Sequence, residues 1–332
     1  MDVLVLPEMA FTGYNFPSLQ AIRPYLEPTG SGPTAQWARS TARRLGCVVC
    51  VGYPELAEAR TTSPTNNNPN NIPKTNPTTT TPAPPTAPSR FNSTLLVSPT
   101  GSTLYNYQKR FLYYTDECWA AEGLSGPGFL HLQLPSIPGP NTSPATTRTA
   151  IGICMDINPY KFLAPWTEYE FATHVLESGA RLVLLPMAWL TTLKSEEMGG
   201  MGGMGEGEEE EEALALARRP DLETFRYWLT RFWPLVGGGG VRETGWEGKG
   251  EEGDEDVIIV FANRVGVEEG GFRIGGYGDG VARYAGTSCV VGVRRVGRGK
   301  RVGPGDEAEI VVWEMLGRAE EGVCFVDTEA EP

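Results

Sequence analysis

What most constrains this chain is a set of short apolar runs, too brief for helices and too uniformly apolar for half-exposed strands. They lie at residues 3–6, 47–53 and 181–186. Such runs read as strands buried on both faces, which requires further layers of structure above and below the sheet. Between the first two, residues 34–45 read as a helix closed by Gly46 at its C′ position. Strand, loop, helix and strand thus follow one another, which is βαβ logic. Residues 93–98 and 103–107 flank the turn Pro99-Thr100-Gly101 and predict a hairpin. Residues 129–134 and 149–154 predict two more strands. An amphipathic helix is expected over 164–177, with Phe162, Trp166, Tyr169, Ala172 and Leu176 on one side. A second is expected over 221–236, with Leu222, Phe225, Leu229, Phe232 and Val236 aligned. The chain closes on strand-like runs at 257–262, 282–293, 309–316 and 323–327. Early alternation and a strand-rich end predict an α/β sandwich with a mixed sheet.

Three stretches are compositionally unfit for a core. Residues 61–90 are almost wholly Thr, Pro and Asn. Residues 196–219 are rich in Gly, Met and Glu, and residues 237–255 in Gly and acid. Segments this polar cannot offset their ordering entropy by burial, so they read as disordered insertions in one domain spanning 1–332. Formal net charge is −13, which argues against nucleic acid or an anionic membrane face as partner. No apolar run reaches membrane-spanning length and no secretion signal is visible, so a cytoplasmic location is expected. Asn92-Ser93-Thr94 and Asn141-Thr142-Ser143 fit a glycosylation pattern that this location would leave unused. Six cysteines in 332 residues make no disulfide framework. The two histidines, His131 and His174, are far apart and lack metal-ligand spacing, so no metal is expected. Cys47-Val48-Val49-Cys50 lies in an apolar strand without a second pair. The glycine pattern at 275–280 follows no clear strand and reads as a loop.

Chemistry concentrates at three strand ends. In Leu6-Pro7-Glu8 a carboxylate directly follows a buried strand, at the rim where α/β folds bind ligands. In Tyr107-Gln108-Lys109-Arg110-Phe111-Leu112 a lysine sits among aromatic and apolar neighbours at a strand end. In Ile151-Gly152-Ile153-Cys154-Met155-Asp156 an apolar strand delivers a cysteine into a turn. A thiol near a helix N-terminus with a basic neighbour is expected to ionise. Each has a bland alternative in isolation: a loop-capping Glu, a solvated Lys with a packed stem, and a buried inert Cys.

Taken in order, these three segments resemble the motifs of the nitrilase (carbon–nitrogen hydrolase) superfamily: Pro-Glu after a strand, Tyr-x-Lys-x-x-Leu, and Gly-x-x-Cys-x-Asp. Ala262-Asn263-Arg264-Val265-Gly266 and Gly286-Thr287-Ser288 are similar to later structural motifs of that family. Several runs further resemble the fungal protein N-terminal asparagine amidohydrolases. These are Pro7 through Tyr14, Phe111 through Glu117 with Trp119, Cys154 through Phe162, and Leu185 through Leu190.

The resemblance implies a nitrilase-like α-β-β-α sandwich with mixed sheets. Against that pattern the first βα unit is missing, since Met1 stands just before the Pro-Glu strand. It also implies the chemistry: Cys154 as nucleophile, Glu8 as general base, and Lys109 with the Met155 N–H stabilising an oxyanion. A second glutamate is expected, with Glu122 fitting the spacing better than Glu117. Asp156 is either the group that receives a substrate α-amino group or a loop anchor. Met187 and Trp189, with Leu190, are expected to line the pocket. The substrates implied are peptides or proteins with N-terminal Asn or Gln, deamidated without a cofactor, with products entering an N-degron pathway. A homodimer is implied by analogy. The alternatives are a small-molecule ω-amidase of the same superfamily and an inactive truncated scaffold.

Overall fold

Along the strand Val48–Ala57, Val48 and Cys50 join one hydrophobic cluster while Val49, Val51 and Tyr53 join another. Period-two alternation with both sets buried means that both faces of this sheet are covered. The computed structural model describes residues 1–58, 89–134, 146–193, 208–237, 256–271, 280–295 and 308–328.

The first sheet comprises β1 (Val3–Val5), β2 (Glu27–Pro28), β3 (Val48–Ala57), β4 (Ser89–Val97) and β5 (Thr103–Gln108). Its path is β1-β3-β4-β5, with β1 and β2 both parallel to β3 and β4 and β5 antiparallel in turn. The short helix α1 (Leu19–Ile22) precedes β2, and α2 (Pro33–Leu45) connects β2 to β3. Ala35, Ala38 and Ala42 of α2 recur at helical spacing and pack on Val49, Val51, Leu95 and Val97. Gly46 ends α2 at φ 65°, a left-handed conformation that glycine adopts without strain.

A second sheet runs in the order β13-β12-β9-β8-β7-β6. Its strands are β6 (Gly128–Gln133), β7 (Thr146–Ile151), β8 (Leu182–Met187), β9 (Val257–Asn263), β12 (Cys289–Arg295) and β13 (Ala308–Met315). The central trio β7, β8 and β9 is parallel. A small ribbon, β10 (Val267–Glu268) with β11 (Ala282–Arg283), sits between β9 and β12 in sequence. The helices after the first sheet are α3 (Tyr114–Glu117), α4 (Glu170–Ser178), α5 (Glu208–Ala217), α6 (Leu222–Arg231) and α7 (Trp233–Val236). One large cluster joins Val48, Cys50 and Leu96 of the first sheet to Ile151, Val183 and Leu185 of the second. Phe171, Val175, Trp228 and Leu235 bring α4, α6 and α7 into it. The layers are therefore helix, sheet, sheet and helix, as the sequence led one to expect.

The helix expected over 164–177 begins only at Glu170. Tyr169 stands at φ 45° and Pro165 is extended. The Arg231 guanidinium stacks on Trp166 and Tyr169 at 4.5 and 4.9 Å and donates to the Trp166 carbonyl at 2.6 Å. That tertiary contact outweighs helical periodicity. The helix expected over 221–236 breaks at Phe232, ahead of Pro234, which lacks an N–H. Its buried face carries Trp228, Arg231, Phe232 and Leu235, whereas Leu222 is exposed. The run 323–327 forms no strand. The stretch 196–219, read as an insertion, contains α5. Its acidic start suits a helix N-terminus, its Ala and Leu residues favour helix, and Ala217 at its end is buried. Most of the other two insertions, 59–88 and 238–255, and residues 275–279 of the loop at 275–280 lie outside the described residues.

Candidate active site

β1, β5 and β7 all end at one rim, and the next residues are those that the sequence singled out. Glu8 follows β1 in a loop that crosses β3 closely: Leu6 N–H donates to the Cys50 carbonyl and Ala10 N–H to the Gly52 carbonyl. A Cβ at Gly52 would stand 2.6 Å from Met9 N and 2.8 Å from Glu8 Cα. Only glycine lets the loop lie this near the strand. Lys109 is the residue after β5, and its N–H donates to the Asn92 carbonyl on β4. Cys154 opens a 3-10 turn, Cys154–Ile157, with its backbone at φ 43°. A non-glycine residue held there stores strain of the kind that accumulates at functional sites.

Glu8 and Lys109 are fully buried and Cys154 is 6% exposed. Lys109 Nζ lies 2.7 Å from Glu8 Oε1 and 2.6 Å from Asp116 Oδ2. Asn92 Nδ2 donates to both carboxylates, at 2.6 Å to Glu8 Oε1 and 2.9 Å to Asp116 Oδ1. The Tyr14 hydroxyl and the Tyr113 N–H also donate to Asp116, at 3.4 and 3.0 Å. The Glu8 Oε2 atom, by contrast, is buried with no hydrogen-bond partner among the described residues. The thiol is near enough to feel both charges of the Glu8–Lys109 pair and the Ala188 N–H after β8.

Burial sets the electrostatics. It pushes the Glu8 carboxyl above the ordinary glutamate range, with Lys109 opposing and the Asp116 charge adding to the rise. For Lys109, burial disfavours the ammonium, but the charges of Asp116 and Glu8 outweigh it and hold the proton above the usual lysine range. Burial, reinforced by Glu8, drives the Cys154 thiol well above its usual range despite Lys109. The sequence led one to expect a ready thiolate; desolvation wins, and the resting group is a thiol. The cluster therefore offers a protonated sulfur, a carboxylate oxygen free to take its proton, and an ammonium with one N–H still unassigned.

The remaining expected residues fall unevenly. Glu122 is not brought to this cluster. Its carboxylate accepts from the Tyr160 hydroxyl at 2.8 Å and pairs loosely with Lys161 at 3.7 Å. Glu117 is exposed. Asp156 accepts from the N–H groups of Ile153, Phe111 and Arg110 and from the Tyr107 hydroxyl, at 2.8, 2.8, 3.1 and 2.8 Å. Those bonds make it the loop anchor, tying the Cys154 turn to the Lys109 loop, and leave it ill suited to bind substrate. Met155 is buried and its N–H lies in the first turn of the 3-10 segment, where helical bonding leaves amides free. Met187 is fully buried at the end of β8. Trp189 is half-buried and packs on Tyr227 at 5.3 Å, its backbone held by Asn263. Asp116 and Asn92 were missed. Asp116 lies inside the run Phe111 through Glu117 that resembles the fungal amidohydrolases, and Asn92 shows in the sequence only a glycosylation pattern. Its full burial excludes that role.

A carbon–nitrogen hydrolase family model matches residues 1–158. A protein N-terminal amidase of Schizosaccharomyces pombe is 29% identical over 306 residues, covering 88% of this chain and 78% of that protein. One of Saccharomyces cerevisiae is 30% identical over 198 residues, 58% of this chain but only 37% of that protein. Crystal structures of N-terminal amidase with a Gln-Val peptide and with an Asn-Glu-Ala peptide superpose at a TM-score of 0.64. They share 21% and 20% identity and cover 96% of this chain and 86% of theirs. At that identity the likeness establishes the fold, the nitrilase sandwich. The family match runs from the Glu8 strand through the Cys154 turn, so the part of the chain that is similar to the carbon–nitrogen hydrolases is the part that carries the buried cluster.

Proposed function

We propose that the chain is a protein N-terminal amidase, converting N-terminal Asn or Gln of peptides and proteins to Asp or Glu. The relatives' activity, and the Asn- and Gln-initiated peptides in the related crystal structures, support this substrate class. The observation that carries the chemistry is the unpartnered, buried Oε2 of Glu8 beside a protonated thiol.

In this reading Glu8 Oε2 takes the Cys154 proton as sulfur attacks the side-chain amide carbon, forming the C–S bond and an oxyanion. Lys109 directs its third N–H, and Met155 its backbone N–H, at that oxygen. The proton on Glu8 passes to the leaving nitrogen, the C–N bond breaks, and ammonia departs from a thioester. Water, deprotonated by Glu8, adds to the thioester carbon; the C–S bond then breaks and sulfur regains the proton. Asp116 keeps Lys109 charged throughout. Trp189 forms a pocket wall, with Met187 supporting it from the sheet. We further infer one domain across 1–332, a cytoplasmic location, product entry into an N-degron pathway, and homodimerisation. The interruptions at 61–90 and 237–255, apart from Ser89 and Arg90 of β4 and from Gly237, are read as insertions outside the catalytic framework.

The test is turnover of an Asn-initiated peptide followed by mass spectrometry. Wild type should replace the side-chain NH2 by OH with release of ammonia, and Cys154→Ala should not. Turnover confined to small free amides would overturn the peptide reading.

A further inference from the structure

The base loop, residues 8–15, belongs to the first sheet, yet it is gripped from the second. Arg264 stands directly after β9, its backbone fixed by N–H donation to the Met187 carbonyl and by acceptance from Gly286 N–H. Its guanidinium crosses the gap between the sheets. Nη1 donates to the Met9 carbonyl at 2.8 Å and approaches the Glu8 carbonyl at 3.3 Å. Nη2 pairs with Glu268 Oε1 at 2.7 Å. The other oxygen of Glu268 accepts from Tyr14 N–H and Asn15 N–H, both at 2.8 Å. One Arg–Glu pair thus holds both ends of the loop. The Tyr284 ring lies under the guanidinium at 5.3 Å. The grip falls where the loop is under strain, since Met9 stands at φ 51°. Among the described residues the Arg264 side chain bonds to the Glu8 and Met9 carbonyls and to Glu268, with no hydrogen bond to the Glu8 carboxylate or to Cys154, so its leverage is geometric. A planar fork that donates to a carbonyl and a carboxylate together is a task that lysine does not reproduce.

We propose that Arg264, with Glu268 as its partner, is a positioning residue that sets where the Glu8 carboxylate stands relative to the Cys154 sulfur. This rests on reading Glu8 as the base of that thiol. A displacement near 1 Å at a reacting group costs on the order of 100-fold in rate, and the effect should appear in kcat with KM little changed.

The experiment uses full-length Arg264→Met and Glu268→Gln and two readouts. One is kcat and KM on an Asn-initiated peptide. The other is the rate of Cys154 alkylation by iodoacetamide, which needs no substrate and so tests the positioning even if the peptide reading fails. Glu8→Gln and the double variant Glu8→Gln/Arg264→Met complete a cycle. Expected are alkylation slowed on the order of tenfold or more by Arg264→Met, no further slowing in the double variant, and partial recovery with Arg264→Lys. Should Arg264→Met not fold, Glu268→Gln, which keeps the side-chain shape, carries the same expectation at smaller size. Wild-type rates in a folded Arg264→Met, or effects of the two single changes that simply multiply, would overturn the proposal.

Discussion

Lys109 forms ion pairs with both buried carboxylates of the site, and its charge opposes the upward push on the thiol. Lys109→Ala should remove an oxyanion donor and lose about 2.7–4 kcal/mol of barrier lowering, read as a fall in kcat on an Asn-initiated peptide. Asp116→Asn tests the pH behaviour. Burial and the Asp116 charge both raise the Glu8 carboxyl, and a base must be ionised to act. The acidic limb of kcat/KM should therefore lie above the ordinary glutamate range in wild type, and move to lower pH in Asp116→Asn. A limb that stays put or moves up would reject Glu8 as the titrating group. Glu8, Lys109 and Cys154 were legible in the sequence because their three strand-end segments, each ambiguous alone, stand together in the order of the motifs they resemble. Asp116 was not legible, because its role depends on a short loop and a one-turn helix, α3, folding back over Lys109. Neighbour spacing pointed to Glu122, which the chain spends on Tyr160 instead.

At the scale of elements, the close crossing of the Glu8 loop over β3 makes Gly52 a mechanical constraint. Gly52→Ala places a methyl 2.6 Å from Met9 N. It should cost about 1–3 kcal/mol of stability in a denaturant melt and, through the displaced carboxylate, on the order of 100-fold in kcat. The β3–β4 pairing makes a contrasting forecast. Ala57 and Ser89 are register partners, so a short hairpin turn can join them. Replacing residues 59–88 by such a turn should leave kcat/KM within about twofold, because loop length costs little entropy. A large loss would assign those residues a part in the reaction. The buried strands were readable from their apolar runs, and α2 from its spacing and terminal glycine. The helix over 164–177 was not, since Arg231 draws Trp166 and Tyr169 into cation–π contact and out of helical geometry. Sequence periodicity cannot register a partner over sixty residues away.

Across the whole molecule, the two sheets divide the machinery between them. β1, β4 and β5 deliver Glu8, Asn92 and Lys109; β7, β8 and β9 deliver Cys154, the Ala188 N–H and Arg264. The layering was readable from the sequence because fully apolar strands demand cover on both faces. The bridging across layers was not, since it depends on contacts such as Tyr107 to Asp156 and Arg264 to Met9. This division means that function doubles as a gauge of association. If the chain is severed between Gln133 and Thr146, where β6 hands over to β7, one fragment holds the acid and the ammonium and the other the sulfur. Neither should hydrolyse anything alone, and mixing the two should restore turnover in proportion to the complex formed, as in a split reporter.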